Sequence, residues 1–299
     1  MSRAENALRH LLLDLSLEEA SRHKLLALGL SRGWIPSSWL ESARKRLLIN
    51  SKREAVSQFV LSRLQTQTRG FQIGLLKGAA LWEFLYRPGE REASDLDLFV
   101  EARHFEPLIK NLAAIGFTSA VRESFRASNF KTVCSSGDYP DFTIEVHTKL
   151  WWHEPPNHQW EWKPSQRNAS FRILTLEDQF IHLAGHWIAQ HTMISLHWFF
   201  DLILFLDQFE KSIDWEKLDQ RAKLLKLSHS VSIARALHRS LVKEGLPCSR
   251  LANVDWEFLK SPKANSLKYF LTKHRVQDRW LDALTYDLRW LLERRKESL

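Results

Sequence analysis

Hydrophobic residues follow a helical period at both ends of this chain and an alternating period in its middle. The N-terminal part, residues 4–66, carries leucines at helical spacing, the first being Leu8, Leu11, Leu12 and Leu15. Capping-box patterns at residues 16–19 and 38–41 predict new helix starts, and a third helix is expected over residues 51–66. From Leu176 onward the spacing is helical again. Two helical regions are therefore predicted to flank a segment of different character.

The middle segment, residues 70–150, alternates between strand and helix patterns. Strands are predicted over 71–76, 94–100, 130–134 and 141–147, and helices over 79–86 and 105–115. Residues 151–170 are rich in Trp, Pro, Asn and His and are expected to be irregular. We predict an α+β fold in which a small mixed β-sheet is flanked by N-terminal helices and a C-terminal helical region. The predicted domains are residues 1–69, 70–150 and 151–299.

Composition places the chain among ordinary globular proteins, with 299 residues, 44% of them hydrophobic and 26% charged. Its two cysteines, Cys134 and Cys248, lie far apart and exclude both a disulfide framework and a Cys-rich zinc site. The most apolar window, residues 196–206, is about half as long as a membrane span. We therefore expect a cytoplasmic protein without a membrane partner. The net charge of +8 favours anionic partners such as nucleotides.

Two aspartates stand two residues apart in the apolar run Ser94–Val100. Side chains alternate along a strand, so Asp95 and Asp97 are expected on one face, roughly 6.5–7 Å apart along the backbone. Two carboxylates on one face repel each other unless a cation lies between them. The pair suits a Mg²⁺ site that binds nucleotide phosphates. A strand edge with surface ion pairs is the alternative.

A third carboxylate lies on a second alternating strand, residues 141–147, where Glu145 and His147 share the polar face. If the two strands are neighbours, Glu145 completes a divalent-metal site with Asp95 and Asp97. Either Glu145 or His147 is a candidate acceptor for the proton of an attacking hydroxyl. The alternative for His147 is a hydrogen-bonded structural histidine.

The phosphate side of the site is predicted upstream, at Lys77 and Gly78. A residue without a Cβ lets the backbone approach a ligand closely, and the helix expected to follow offers free N–H groups. Lys77 adds a positive charge, and Arg91 is a candidate to place a guanidinium over the same phosphates. Ser94 either binds phosphate or caps its loop.

These residues resemble a known signature. The segments Leu75–Leu81 and Ser94–Val100, with Arg91 between them and Ile144–His147 after them, are similar to a bacterial group called uncharacterised nucleotidyltransferases. That group belongs to the polymerase-β-like nucleotidyltransferase superfamily. The resemblance covers residues 70–225 and includes the helical segments around His182, His186 and Asp201.

The resemblance implies that Asp95, Asp97 and Glu145 bind two Mg²⁺ ions, with Mn²⁺ as a substitute. It also implies a reaction in which a nucleoside monophosphate moves from an NTP, with ATP as the default, to an acceptor that the sequence does not identify. The superfamily's usual Gly-Ser or Gly-Gly is replaced by Lys77-Gly78, so the serine that contacts the triphosphate is absent at this place. The alternatives are a non-catalytic nucleotide- or partner-binding protein and an RNA- or tRNA-directed enzyme.

Several aromatic and basic residues leave two interpretations open. His182 and His186 have the i, i+4 spacing of zinc ligands, although packing is the more ordinary role, and Asp201 on an apolar helix needs a partner. Tryptophans 151, 152, 160 and 162 are candidates either to stack a base or to cover the core. The basic runs 44–46, 52–53 and 294–296 are more typical of solvated helix faces than of nucleic-acid contacts, so RNA is not the favoured partner.

Overall fold

A computed structural model describes residues 1–68, 71–119, 131–151, 154–156, 158–262, 266–278 and 284. The chain divides into two compact units. One is Leu12–Gln179, and the other is Met1–Leu11 together with Phe180–Leu299. The three-part domain division given by the sequence stays a prediction.

A seven-stranded mixed sheet forms the centre of the unit Leu12–Gln179. Its strands are β1 (Ile73–Leu75), β2 (Asp95–Phe99), β3 (Thr118–Ser119), β4 (Lys131–Ser135), β5 (Thr143–His147), β6 (Trp162–Pro164) and β7 (Phe171–Leu174). They lie in the order β3-β4-β5-β2-β1-β7-β6. The β2–β5 and β1–β7 pairs are parallel, and the remaining pairs are antiparallel. The predicted α+β class with a mixed sheet is confirmed.

Strict alternation in the two central strands separates a core face from a polar face. Leu96, Leu98, Ile144 and Val146 are fully buried on one side of β2 and β5. Burying four such side chains contributes roughly 1.5–3 kcal/mol each. This apolar face fixes the strand register, because a slip of one residue would move every core side chain into the polar face.

The helices of the same unit precede or interrupt the sheet. They are α2 (Leu17–Arg22), α3 (Leu26–Ser31), α4 (Leu40–Gln67), α5 (Lys77–Leu81) and α6 (Phe105–Ala114). The helix before them, α1 (Arg3–Leu13), belongs mostly to the second unit. The capping box at Ser16 is confirmed, since its hydroxyl accepts from the Glu19 amide. The predicted cap at residue 38 and the separate helix over 51–66 are wrong. Residues 40–67 contain neither Gly nor Pro, and α4 runs through them without a break.

In the second unit, the described regular secondary structure consists of helices and one isolated β-bridge. Its helices are α7 (Leu176–Ala184), which begins before the division, α8 (Leu196–Phe209), α9 (Trp215–Leu224), α10 (Ser228–Glu244), α11 (Trp256–Lys260) and α12 (Leu267–Arg275). A π-helical turn, Gly185–Gln190, follows α7. The predicted breaks are confirmed, because Asp214 caps α9, Gly245 ends α10 in the left-handed conformation and α11 ends before Pro262.

Three strands, β3, β6 and β7, lie where the sequence predicted no regular structure. Trp162–Pro164 and Phe171–Leu174 form an edge hairpin, and β7 pairs with β1. The four residues of β7 are too few for an alternating pattern to be recognised, and polar segments flank them on both sides. The parallel pairing of β7 with β1 is a long-range contact, which local propensity does not reveal. Within the described residues, the longest helices are too polar, and the apolar ones too short, to span a bilayer.

Candidate active site

Strand pairing brings the predicted carboxylates to one place. In the parallel β2–β5 ladder, Asp97 lies directly opposite Glu145, and Asp95 lies opposite Thr143. His147 follows Glu145 by two residues and so shares its face. The two strands are neighbours, as the metal-site prediction required.

Asp97, Glu145 and His147 form the tightest cluster of potential ligands. The Nε2 atom of His147 lies 3.0 Å from Asp97 Oδ1 and 3.5 Å from Glu145 Oε2. One ligand atom from each of the three lies within 4.8 Å of the others. Asp97 and His147 are only 3% and 5% exposed. Asp95 is on the same face but is not part of this three-residue group among the residues described.

Lys77 closes the cluster from the end of β1. Its Nζ donates to Asp97 Oδ1 at 2.6 Å and lies 3.7 Å from Glu145 Oε2. Lys77 has a φ of +44°, a left-handed conformation that is uncommon for a residue with a side chain. The turn between β1 and α5 therefore points this ammonium at the carboxylates.

Gly78 and Arg91 lie against each other beside this turn. A Cβ built on Gly78 would lie 2.5 Å from Nη1 of Arg91, so only glycine lets the guanidinium come this close. Arg91 is 7% exposed. The Ser94 backbone carbonyl accepts from the Thr143 amide at 3.2 Å, which joins the start of β2 to β5. The structure thus places all eight predicted site residues on β2, on β5, at the start of α5 or in the loop that leads into β2.

The loop that carries Arg91 is tied to the helices before it. Glu90, fully buried, accepts from Ser31 Oγ at 2.9 Å and from Arg32 Nε at 3.2 Å. The backbone of Gly89 is held twice, by Asn50 at its carbonyl and by Glu54 at its amide. Helices α3 and α4 therefore fix the loop that positions the guanidinium.

Opposing charges set the protonation of the site. Burial disfavours the ionised form of Asp97, but Lys77 and His147 outweigh it and hold the pKa of Asp97 far below its ordinary value. The pKa of Glu145 falls to about 2 against burial, chiefly through the His147 hydrogen bond and the Lys77 charge. Burial and the neighbouring Asp97 raise the pKa of Asp95. Burial opposes the charge on Lys77 as well, yet Asp97 and Glu145 raise its pKa.

One residue in contact with the site was not predicted. Lys131 on β4 donates from Nζ to both carboxylate oxygens of Glu145, at 2.8 and 2.9 Å. It lies opposite His147 in the antiparallel β4–β5 ladder. Its strand was predicted to start at Phe130, which lies outside the described residues. Pairing β4 with β5 would have placed residue 131 beside His147, on the face of the sheet that carries the site. Local sequence pattern does not give that pairing.

The donor set fits a hard divalent cation. Carboxylate oxygens are the preferred ligands of Mg²⁺ and Mn²⁺, and an imidazole nitrogen is accepted by Mn²⁺. The separation of 4.8 Å or less is close to the ~4.2 Å between opposite ligands of an octahedral Mg²⁺. An ion at this position would replace the contacts that Lys77 and His147 make with Asp97 Oδ1, at 2.6 and 3.0 Å.

The remaining candidates lie apart from this cluster in sequence. The ring of His186 packs edge-on against His191 and Trp198, with centroids 4.5 and 4.7 Å away, and Asp201 is fully buried on α8. These contacts are typical of a packed helical core. Neither His182 nor His186 belongs to a three-residue metal group in the described part of the chain.

The tryptophans that the structure describes favour the covering interpretation. Trp151 and Trp160 are buried, and Trp162 stacks on Phe99 with ring centroids 5.0 Å apart. Trp152 and the basic run 294–296 lie outside the described residues. Arg46 and Arg53, from the other two basic runs, lie 3.4 and 3.9 Å from the buried carboxylate of Glu92 on the loop before β2.

Two solved structures are similar to this chain. The antibiotic-resistance factor ANT(2'')-Ia is 15% identical, with 64% of this chain and 93% of that chain covered and a TM-score of 0.35. The protein JHP933 from Helicobacter pylori is 15% identical, with 81% of this chain and 97% of that chain covered and a TM-score of 0.38. A search of curated protein sequences returned no match.

A family model matches most of the chain. The model described as uncharacterised nucleotidyltransferase matches residues 12–243, which include every residue of the cluster described above and most of the chain. The protein therefore belongs to this family of nucleotidyltransferases.

Proposed function

We propose that this nucleotidyltransferase depends on a divalent metal and moves a nucleoside monophosphate from an NTP, with ATP as the default donor, to an acceptor, releasing pyrophosphate. The observation that carries the proposal is the pairing of Asp97 with Glu145 across two parallel strands, with His147 3.0 Å from Asp97. Membership of a nucleotidyltransferase family supports the type of reaction.

In this proposal the carboxylates bind the metal and the basic residues bind the phosphates. Asp97 and Glu145 are the central ligands, and Asp95, two residues along the same face, joins them. A bound Mg²⁺ or Mn²⁺ would supply positive charge where negative charge develops on the reacting phosphate. Lys77 and Arg91 would then hold the triphosphate through charge-assisted hydrogen bonds, with the Gly78 backbone close by.

His147 is the better candidate to receive the acceptor's proton. The low pKa of Glu145, about 2, makes that carboxylate a weak base. His147 lies beside both carboxylates and is positioned by Asp97, which is the arrangement that orients an imidazole for proton transfer. Ser94 would contribute to the phosphate side from the start of β2.

Labelled nucleotides test the proposal even while the acceptor is unidentified. Purified protein is incubated with Mg²⁺, cell lysate and ATP labelled at either the α or the γ phosphorus. Label from the α position is expected in the product and label from the γ position in pyrophosphate. The Asp97→Asn variant should lose about 100-fold or more of the transfer, while the exposed control Asp138→Asn retains it.

Two outcomes would contradict the proposal. Transfer of the γ label to the acceptor would indicate a kinase. Equal transfer by wild type and Asp97→Asn would show that Asp97 is not a ligand of a catalytic metal. Nucleotide binding without any labelled product would favour the non-catalytic alternative. A product sensitive to ribonuclease would identify the acceptor as RNA.

A further inference from the structure

Two ammonium groups cover the oxygens that a metal ion would need. Lys77 Nζ lies 2.6 Å from Asp97 Oδ1, and Lys131 Nζ lies 2.8 and 2.9 Å from the two oxygens of Glu145. His147 also reaches Asp97 Oδ1, at 3.0 Å. Three donors therefore occupy lone pairs of the same two carboxylates.

The two lysines differ in their freedom to leave. The Lys77 side chain is 14% exposed and is directed by its unusual φ, whereas the Lys131 side chain is 40% exposed. Lys131 comes from β4, whose register with β5 sets it opposite His147. Its long side chain can swing towards solvent or towards a ligand above the polar face.

Charge balance makes a free divalent cation a poor occupant of this site. The site contains three carboxylates, those of Asp95, Asp97 and Glu145. Three basic groups oppose them: Lys77 and Lys131 form ion pairs with Asp97 and Glu145, and Arg91 acts electrostatically on Asp95 from the neighbouring loop. With these groups ionised the local charge is close to zero. A cation arriving alone would have to displace ammonium groups and leave their charge uncompensated. A triphosphate brings the negative charge that the displaced lysines need.

We infer that Lys77 and Lys131 hold Asp97 and Glu145 closed to a free divalent cation, and that the cation enters together with a polyphosphate, to which the two ammonium groups then transfer. The inference rests on the proposed metal site and adds an order of binding to it. Lys131 becomes a positioning residue that controls access to Glu145.

Manganese affinity tests this inference without measuring activity. Mn²⁺ is titrated into wild-type protein and into Lys131→Met, with bound metal followed by calorimetry or by the electron-spin signal of free Mn²⁺. Each titration is repeated with an ATP analogue that carries a methylene between the α and β phosphorus atoms. The exposed Lys110→Met on α6 is the matched control.

After subtraction of the Mn²⁺ that the analogue binds in a protein-free titration, wild type is expected to bind Mn²⁺ at least about tenfold more tightly with the analogue than without it. Lys131→Met should bind Mn²⁺ alone at least about tenfold more tightly than wild type, because a positive charge a few ångströms from the ion is removed. Lys77→Met, which removes the ammonium group from Asp97, is also expected to bind Mn²⁺ alone more tightly than wild type. Lys110→Met should behave as wild type.

The outcomes separate this inference from the proposed function. If wild type binds Mn²⁺ with the analogue but neither lysine variant binds it more tightly alone, the lysines are structural ion pairs and the inference is overturned. If Asp97→Asn binds Mn²⁺ with the analogue as wild type does, the metal site itself is wrong and the proposed function fails with it.

Discussion

Lys77 combines an unfavourable backbone with a favourable side-chain contact. A left-handed conformation costs a residue with a Cβ roughly 1–2 kcal/mol, and glycine would avoid that cost. Here the lysine at φ +44° donates at 2.6 Å to Asp97, a carboxylate that is 3% exposed. Removing one partner of such a buried pair typically costs more than the backbone strain. The sequence therefore keeps a charged residue at a turn where glycine alone would be the unstrained choice.

Gly78 offers a direct test of the role of Arg91. In Gly78→Ala the new methyl meets Nη1 of Arg91 at 2.5 Å and the Cβ of Ala93 at 3.4 Å, so the guanidinium must move while the backbone stays. Stability should change by less than ~1 kcal/mol, because alanine favours the helix that contains it. We expect nucleotide affinity to fall about fivefold or more, measured by calorimetry with the methylene analogue and Mg²⁺.

The matched control for this prediction is Gly137→Ala. A Cβ at Gly137 would meet no atom within 4 Å, and its φ lies outside the left-handed range. Unchanged nucleotide affinity in Gly78→Ala, together with unchanged stability, would mean that Arg91 does not contact the nucleotide.

At the scale of elements, the N-terminal helices hold a loop of the site. Glu90 on that loop is fully buried among Ser31, Arg32 and the Arg87 amide, and Arg32 Nη2 also donates to the Leu85 carbonyl. The contacts made by Ser31 and Arg32 cross more than fifty residues of sequence, as in the 58-residue separation of Arg32 from Glu90. The helices are therefore part of the apparatus that places Arg91.

Glu90→Gln is expected to destabilise the unit Leu12–Gln179 by about 2–4 kcal/mol, because it removes the negative charge that faces the Arg32 guanidinium in a largely buried place. Urea denaturation measures the effect. Glu101→Gln removes an exposed ion pair with Arg103 and should cost less than ~1 kcal/mol. Equal effects of the two substitutions would show that Glu90 does not anchor the loop.

Local sequence pattern was sufficient for the central strands and insufficient for their partners. Alternation placed Asp95, Asp97, Glu145 and His147 correctly on polar faces, because each strand carries its own period of two. It did not pair β4 with β5, so Lys131 was missed, and it did not find β7, whose four residues are a strand through their pairing with β1 and β6. Contacts between distant segments depend on topology, which local periodicity does not contain.

At the scale of the whole molecule, the site adds a pH-dependent contribution to the stability of one compact unit. The pKa values of Asp97 and Glu145 are lower in the folded chain than their ordinary values of 3.8 and 4.5. Stability from these two groups is therefore present above about pH 4.5 and is lost as the pH falls towards 2. Asp95, with a raised pKa, contributes in the opposite sense, since its stabilising effect is present at low pH and is lost as the pH rises.

A variant at Glu145 should reveal this contribution as a difference between two pH values. At pH 7 Glu145→Gln leaves Lys131 a neutral amide oxygen in place of a carboxylate and removes the charge next to Lys77, so we expect it to be about 1–3 kcal/mol less stable than wild type. Near pH 2 the wild-type carboxyl is about half protonated in the folded chain and largely protonated in the unfolded chain, so the difference should shrink by half or more. Calorimetric unfolding with a chelator present measures this difference and keeps metal out of the site. The exposed Glu106→Gln should stay within ~0.5 kcal/mol of wild type at both pH values. A difference at Glu145 that does not depend on pH would mean that packing, rather than the charge held between Lys77 and Lys131, stabilises this carboxyl.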